Sequence, residues 1–327
     1  MPLEVLEQSW DWLCRESDGS PWSVHLGSGE PLLARPALEH LHALTTRARQ
    51  EPVPVFLTTN GSLLDLDTAG WLADTGWWVS VSLDGPKPIQ DRWRPSRGGE
   101  GTFDVVTRGL RELVGRLGDR LAVIAVYCRD TDPAEVHHAI GELGVRRLQF
   151  VPVASDDPAV CPDPAGLRRY ADFVMDVARR WAGGHAPVPV LQQLSDYVVR
   201  VMGYHNRQTI CEAGRSYVGV GPDGGLYPCM RFVGIDRFRI GHLSTGVDAE
   251  RALMFRLGAG GPARDRVACR ACWAAPICCG PCFACAEMFS IDHHCAMFQA
   301  EASAAVWLVR ELRERAPERL LPFFETA

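Results

Sequence analysis

Short apolar stretches alternate with amphipathic segments along the first half of the chain. Five stretches rich in β-branched or aromatic residues predict strands, at 23–27, 53–59, 77–83, 121–127 and 148–153. Apolar residues recur at helical spacing in the segments around them, which predicts helices at 3–16, 36–49, 65–75, 103–117 and 133–142. Near-continuous apolar strands separated by helices favour a parallel sheet that is covered on both faces. We therefore expect an α/β fold, either part of a βα barrel or an open sheet.

The pattern changes near residue 160. The stretch "DDPAVCPDPAG" is rich in Pro and Asp and indicates a loop, after which helices are predicted at 165–183 and 190–203. "SYVGVGPDGGLYPC" places two alternating stretches around a Pro-Asp-Gly-Gly turn, which predicts a β-hairpin from about residue 216. A closing helix is predicted at 299–315. The expected segments are an α/β domain, a helical connector, a cysteine-rich domain and a C-terminal helix with its tail, at 1–160, 161–205, 206–300 and 301–327.

Composition narrows the class of protein. The net charge is −6, with 34 basic and 40 acidic residues, so neither nucleic acid nor an anionic membrane surface is an expected partner. The N-terminus lacks the pattern of a signal peptide, and no apolar run approaches the length of about 18 residues that indicates a membrane span. A cytoplasmic protein is expected, and disulfides are rare in that compartment. The 12 cysteines therefore point to metal or cluster binding.

Seven cysteines follow a regular spacing in the C-terminal half. After Cys211 come twelve residues, Gly224, four residues and Cys229; Cys269-x2-Cys272-x5-Cys278-x3-Cys282 follows, and then Cys295. Tight spacing lets thiolates converge on one metal or cluster, and this number of sulfurs suits two sites. Structural zinc is the alternative, but zinc ribbons separate two CxxC knuckles by a dozen or more residues, whereas these pairs are crowded together. His293 and His294 are expected to be loop residues near the site.

The cysteine spacing resembles that of the SPASM domain, the C-terminal extension of many radical S-adenosylmethionine (SAM) enzymes. The resemblance covers roughly 205–300 and implies two auxiliary 4Fe–4S clusters. It assigns three ligands to the first cluster and four to the second, namely Cys211, Cys229 and Cys282, and then Cys269, Cys272, Cys278 and Cys295. Family members often place a fourth ligand of the first cluster where this chain has Tyr217, so an open iron or another ligand is expected there. Cys279 and Cys285 lie outside the pattern.

Motifs at the predicted strand ends resemble the SAM-binding motifs of the same family. "HLGSGEPLL" contains a GGEP-like stretch, "TTNG" ends the next strand and "SVSLDGP" ends the third, while "GTFDVV" resembles a helix entry of the family. Each motif alone is compatible with an ordinary βα turn, but their order at successive strand ends favours a binding site. The resemblance implies that the SAM-binding residues are Ser28, Gly29, Glu30, Pro31, Asn60, Ser82 and Asp84.

The CxxxCxxC motif that holds the SAM-cleaving cluster in radical SAM enzymes follows the first barrel strand, but the N-terminal half of this sequence does not contain it, since only Cys14 precedes Cys128. The expected fold is therefore a partial (β/α)6 radical SAM barrel that lacks its first strand, followed by a small α+β SPASM domain. Two explanations remain open: an enzyme whose N-terminal part is missing from this sequence, which we favour, or a natural degenerate relative. A missing strand leaves an uncovered edge on the sheet, which predicts a dimer or a partner protein that covers it.

Within the family, the cysteine-rich stretches look most like peptide-modifying maturases, including thioether-forming ones. Met230 follows the second SPASM cysteine where anaerobic sulfatase maturases usually have Asp, which counts against that subgroup. The resemblance implies a maturase that modifies a ribosomal peptide or a protein. This sequence is expected to be inactive in SAM cleavage, although SAM binding is retained as an expectation. The alternative is a non-catalytic scaffold that carries auxiliary clusters, or zinc, for a complete maturase.

Overall fold

The computed structural model describes residues 1–47, 53–185, 188–203, 209, 211–259, 261 and 266–325. The helices are α1 Leu3–Glu16, α2 Arg35–Arg47, α3 Leu66–Thr75, α4 Lys87–Trp93, α5 Phe103–Leu117, α6 Pro133–Glu142, α7 Pro164–Ala182, α8 Gln192–Val201, α9 Ala249–Leu257, α10 Val267–Arg270, α11 Ala275–Cys278, α12 Phe283–Met288, α13 Asp292–Arg315 and α14 Pro322–Glu325. The strands are β1 Val24–Leu26, β2 Val55–Thr59, β3 Trp78–Ser82, β4 Leu121–Tyr127, β5 Arg147–Pro152, β6 Val190–Leu191, β7 Gly219–Val220, β8 Gly225–Tyr227, β9 Gly241–His242 and β10 Gly246–Val247.

The first six strands form one parallel sheet in sequence order, from β1 to β6. Helices lie between successive strands, so the sheet is built from βα units, as the alternating pattern predicts. Because the strands are parallel, all of their carboxyl ends meet at one edge of the sheet. β1 and β6 are the outermost strands of this sheet.

The main core lies between one face of the sheet and its helices. Alternate residues of β2 and β3 are buried there, including Val55, Leu57, Val79 and Val81. The last long helix, α13, joins the same core by packing against α7 and α8. The helix begins at Asp292 and runs continuously across the boundary predicted at residue 300.

A second, antiparallel sheet has the order β10-β9-β8-β7. It contains the predicted hairpin, in which β7 pairs with β8 and Gly224 in the turn has a φ of 80°. That left-handed conformation is one that glycine adopts without a steric cost. Leu226 and Ile240 pack with Trp12 of α1 in a small core of their own. The N-terminal helix thereby holds the second sheet against the rest of the molecule.

The sequence-based elements and the structure differ in several places. Residues 190 and 191 form the sixth strand of the parallel sheet, not the start of a helix, because they pair with Arg147 and Leu148 of β5. The helices α4, α9 to α12 and α14 and the strands β9 and β10 were not predicted. The helix expected at 36–49 ends at Arg47 within the described residues, and positions 48 and 49 lie outside them. Among the described residues, no helix has both the length and the apolar character to cross a membrane.

Candidate functional site

Glu30 joins the carboxyl ends of two neighbouring strands. It follows β1, and its Oε1 accepts hydrogen bonds from Thr59 Oγ1 at 2.7 Å and from the Leu32 amide at 3.1 Å. Its Oε2 accepts a hydrogen bond from the Asn60 amide at 2.7 Å. The register that places Leu26 beside Leu57 brings these loops together. Glu30 is therefore held rigidly at the carboxyl edge of the sheet.

The loop before Glu30 has two consecutive left-handed residues, Ser28 with a φ of 78° and Gly29 with a φ of 73°. A non-glycine residue in that region is uncommon and is found at turns and binding sites. Pro31 then begins a short 3-10 helix that Glu30 caps. The four residues of the GGEP-like motif thus form one tight turn at the end of β1.

Asn60 and Gly61 form the matching turn at the end of β2. The Asn60 Oδ1 accepts a hydrogen bond from the Ser62 amide at 2.8 Å, and Gly61 has a φ of 77°. A Cβ on Gly61 would lie 3.0 Å from a methyl carbon of Val106 and 3.1 Å from one of Val81. This turn therefore requires glycine for its conformation and for its close packing.

Ser82 and Asp84 follow the same edge at the end of β3, but Asp84 does not face an open space. It is 2% exposed, and Arg94 donates to both of its oxygens, with Nε at 2.7 Å from Oδ2 and Nη2 at 3.1 Å from Oδ1. The Val126 amide donates to Oδ1 at 2.9 Å. The carboxylate is thus already engaged by the protein, whereas Ser82 is buried at the strand end.

The structure brings together the three cysteines expected to hold the first auxiliary cluster. Cys211, Cys229 and Cys282 pack against the same small hydrophobic cluster of the C-terminal domain, close enough for their thiolate charges to interact. Burial raises the pKa of Cys211 and of Cys229. A hydrogen bond from the Cys285 thiol lowers the pKa of Cys282 to about 5. Such neighbouring sulfurs are the donor set that iron–sulfur clusters use.

The four cysteines expected to hold the second cluster form a separate group. Cys295, at the start of α13, interacts electrostatically with Cys269 and Cys272, and Cys278 interacts with Cys295. Burial raises the pKa of Cys278 to about 11. Gln299 Nε2 lies 3.5 Å from Cys272 Sγ, as a hydrogen-bond donor to that sulfur. The two sets of cysteines, which alternate along the sequence, therefore form two separate groups in the structure.

Both cysteine groups lie against the carboxyl edge of the parallel sheet. Met230, which follows Cys229, has its sulfur 3.1 Å from the position of a Cβ on Gly27, and its carbonyl oxygen lies 3.5 Å from Ser28 Oγ. On the other side, His293 and His294 both hydrogen-bond to the Val153 carbonyl, at 2.7 and 3.0 Å. These histidines lie in α13 and not in a loop, and burial lowers the pKa of His294 to about 4.

Within the described ranges, no three His, Cys, Asp or Glu side chains are close enough together to hold a single metal ion. The remaining thiols of the α/β region are dispersed. Cys14 packs on the core from α1, Cys128 is buried beside Thr131, and Cys161 donates to the Ser155 carbonyl at 3.1 Å. These three thiols do not provide a cluster site at the barrel edge.

Residues 2–150 match the Radical SAM superfamily. The first part of the chain is a radical SAM domain. Proteins of that superfamily use a 4Fe–4S cluster and SAM as cofactors. The serine-type anaerobic sulfatase-maturating enzyme of Klebsiella aerogenes is 28% identical over 273 residues, which cover 78% of this chain and 64% of that protein. The cysteine-type enzyme of Clostridium perfringens is 24% identical over 261 residues, which cover 73% of this chain and 67% of that protein.

Solved structures share the fold of the whole chain, including the part beyond the radical SAM domain. Native anSMEcpe with bound AdoMet superposes with a TM-score of 0.77 at 20% identity, covering 96% of this chain and 90% of that one. The same protein with AdoMet and the Kp18Cys peptide superposes with a TM-score of 0.75. The prediction of a radical SAM fold with a small C-terminal domain is therefore confirmed.

Two residues that position the site were not among those predicted. Thr59 donates to Glu30 at 2.7 Å and also accepts from the Gly61 amide at 3.1 Å. Arg94 pairs with Asp84 across ten residues of chain. Thr59 belongs to the "TTNG" stretch that was identified in the sequence, so the motif itself could have pointed to this residue. The role of Arg94 depends on a loop conformation that no periodicity encodes.

Proposed function

We propose that this chain is a radical SAM maturase of the peptide-modifying type, with two auxiliary 4Fe–4S clusters in its C-terminal domain. The observation that carries the proposal is the location of both cysteine groups at the edge of the sheet that also bears Glu30. Catalytic groups of barrels lie at the carboxyl ends of the strands. The relatives that match over most of this chain are sulfatase-maturating enzymes, and one neighbouring structure contains a peptide.

Glu30 and the turns at Ser28–Gly29 and Asn60 are proposed to bind SAM. The turns expose backbone groups beside a fixed carboxylate, an arrangement suited to the ammonium group of the methionine moiety. Ser82 is proposed to contact SAM from the next strand. For Asp84 we propose an indirect role, because it is 2% exposed and paired with the Arg94 guanidinium, whereas Glu30 is only partly buried and has no cationic partner among the hydrogen bonds it accepts.

The metal content tests the proposal directly. The chain is reconstituted with iron and sulfide without oxygen, and both are measured per chain. We expect about eight irons and as many sulfides, the content of two 4Fe–4S clusters. Cys278→Ala should lower both toward about four, while Cys14→Ala, in α1, should leave them unchanged. Stoichiometric zinc without sulfide would contradict the proposal.

A second experiment concerns SAM cleavage. In this superfamily, three thiolates on one loop hold the SAM-cleaving cluster and leave one of its irons open to SAM, to which such a cluster would supply one electron. The CxxxCxxC spacing occurs in this sequence only at 278–285, in the C-terminal domain. In the α/β region, Cys14, Cys128 and Cys161 do not form such a group. We therefore propose that the 327-residue chain binds SAM without cleaving it. Anaerobic incubation with SAM and dithionite should yield no more 5′-deoxyadenosine than a cluster-free control.

The same observation supports a second candidate function. A chain with two auxiliary clusters and a SAM pocket, but without a SAM-cleaving cluster, suits a partner that binds peptide or relays electrons for a complete maturase. β1 is an outer strand of the sheet and provides an edge for such an association. Catalytic turnover of SAM by the purified chain would exclude this candidate and would also contradict the proposed absence of cleavage.

A further inference from the structure

Cys285 lies among the thiols of the first cysteine group although it is outside the SPASM spacing. Its thiol hydrogen-bonds with Cys282, and its charge interacts with that of Cys229. The side chain is 4% exposed, so its sulfur faces the interior of the C-terminal domain. The three sulfurs expected to hold the first cluster therefore have a fourth sulfur beside them.

Local structure explains why Cys282 and Cys285 come together. Cys282 immediately precedes α12, and Cys285 lies three residues later within its first turn. Residues three apart in a helical turn lie on the same side, so the two sulfurs face one space. Such CxxC spacing recurs among the thiolate ligands of iron–sulfur clusters.

Arg231 completes the surroundings of this sulfur. It lies two residues after Cys229, and its Nη1 donates a hydrogen bond to Cys285 Sγ at 3.8 Å. A cationic donor stabilises a thiolate, and hydrogen bonds to sulfur are among the features that set cluster potentials. A buried sulfur that is only a packing group has no need of such a donor.

Tyr217 is the competing candidate, because it occupies the position of the fourth ligand in the family. Its hydroxyl is close enough to Cys211 and Cys229 for their charges to interact, and its ring contacts His25 at 5.7 Å between centroids. A phenol offers a hard oxygen, whereas iron–sulfur clusters are held by soft thiolates. The ligand chemistry therefore favours Cys285.

We propose that Cys285 is the fourth ligand of the first auxiliary cluster, beside Cys211, Cys229 and Cys282. The inference rests on the proposed function, because it presupposes the cluster. Four protein sulfurs leave no iron of this cluster open to a thiolate of the peptide. A cluster held in this way would be suited to electron transfer and not to ligation by the substrate, which separates this chain from a maturase with a substrate-ligated cluster.

The test uses the full chain, reconstituted anaerobically, with Cys285→Ala and the matched variant Cys279→Ala. Cys279 is also buried in this domain and outside the SPASM spacing, but its Sγ lies 3.8 and 3.7 Å from the Pro276 and Ile277 carbonyls. Iron and sulfide are measured, and electron paramagnetic resonance spectra of the reduced proteins are recorded with and without ¹³C-labelled cyanide, a probe of open iron. Thermal melting followed by circular dichroism reports folding.

The wild type and Cys279→Ala should keep both clusters, with spectra that cyanide does not change. Cys285→Ala should either bind cyanide at the first cluster or lose about four irons, while its melting remains cooperative. The inference is overturned if cyanide perturbs a fully loaded wild type, or if Cys285→Ala keeps the wild-type spectrum and its insensitivity to cyanide. If Cys285→Ala does not fold, the response of the fully loaded wild type to cyanide still tests whether the first cluster has an open iron. A wild type without sulfide would instead overturn the proposed function itself.

Discussion

Arg94 and Asp84 form a two-point ion pair in which the guanidinium donates to both carboxylate oxygens, at 2.7 and 3.1 Å. The Asp84 side chain is 3% exposed and that of Arg94 is 29% exposed. The pair links the end of β3 to the loop after α4, and the Val126 amide adds a bond from β4. Asp84, which was predicted to bind SAM, thus holds the ends of β3 and β4 and the loop after α4 together.

Asp84→Asn should therefore lower stability. The amide cannot accept from both Arg94 nitrogens and leaves the partly buried Arg94 guanidinium without its carboxylate, so we expect a loss of about 2–3 kcal/mol in the free energy of unfolding. Urea denaturation measures it. The control is Asp67→Asn, which removes an exposed contact at 3.8 Å from Arg35 and should cost less than about 1 kcal/mol. Weakened SAM binding with unchanged stability would instead mean that Asp84 contacts the ligand.

Elements with long periodic patterns were predictable from the sequence. The bounds of α1, α5, α6 and β4 match the predicted ones. In each of these segments the spacing of apolar residues is typical of one kind of element from its first residue to its last. β6 has only two residues and is defined by its pairing with β5. The local order of apolar and polar residues does not reveal such a pairing. α4 follows Pro86 and contains Pro88, so its sequence resembles a loop although proline is tolerated in the first helical turn.

The site was predictable at the level of motifs but not of partners. Glu30 and the seven SPASM-type cysteines were assigned from the resemblance of their motifs to those of a known family, which requires no knowledge of the fold. The contact between Glu30 and Thr59 depends on strand register, and that between Cys285 and Cys282 depends on where α12 begins. Cys285 was therefore recognised only as a cysteine outside the pattern, and its neighbours became apparent in three dimensions.

Gly61 should tolerate substitution much less than another left-handed glycine. Gly61→Ala places a Cβ 3.0 Å from Val106 and 3.1 Å from Val81 at a φ of 77°, so strain and crowding add. Gly76 has a φ of 74° but nothing within 4 Å of the new Cβ. We expect Gly76→Ala to cost about 1 kcal/mol and Gly61→Ala about 2–4 kcal/mol. Equal shifts in chemical denaturation would show that packing at the "TTNG" turn is unimportant.

Glu30→Gln should weaken SAM binding by at least about tenfold, which corresponds to about 1.4 kcal/mol. Both carboxylate oxygens of Glu30 accept hydrogen bonds. In Glu30→Gln the new NH2 group would face an N–H or O–H donor in place of an acceptor, so the turn after β1 must shift. Isothermal titration calorimetry with SAM measures the effect. Glu39→Gln, on the exposed side of α2 beside Arg35, is the control and should bind SAM as the wild type does. Equal affinities for both variants would remove Glu30 from the proposed SAM site.

Glu301 should make stability depend on pH. Burial raises its pKa from 4.5 to about 8, and Tyr170 donates to its Oε1 at 2.5 Å, while Arg200 and Asp196 also act on its charge. Because the folded state holds this proton more tightly, the contribution to stability is complete below pH 4.5 and is lost as the pH rises toward about 8. Glu301→Gln keeps an acceptor for Tyr170 and removes the titration. Unfolding free energies measured across this window should fall more steeply for the wild type than for the variant, and parallel curves would show that Glu301 titrates normally.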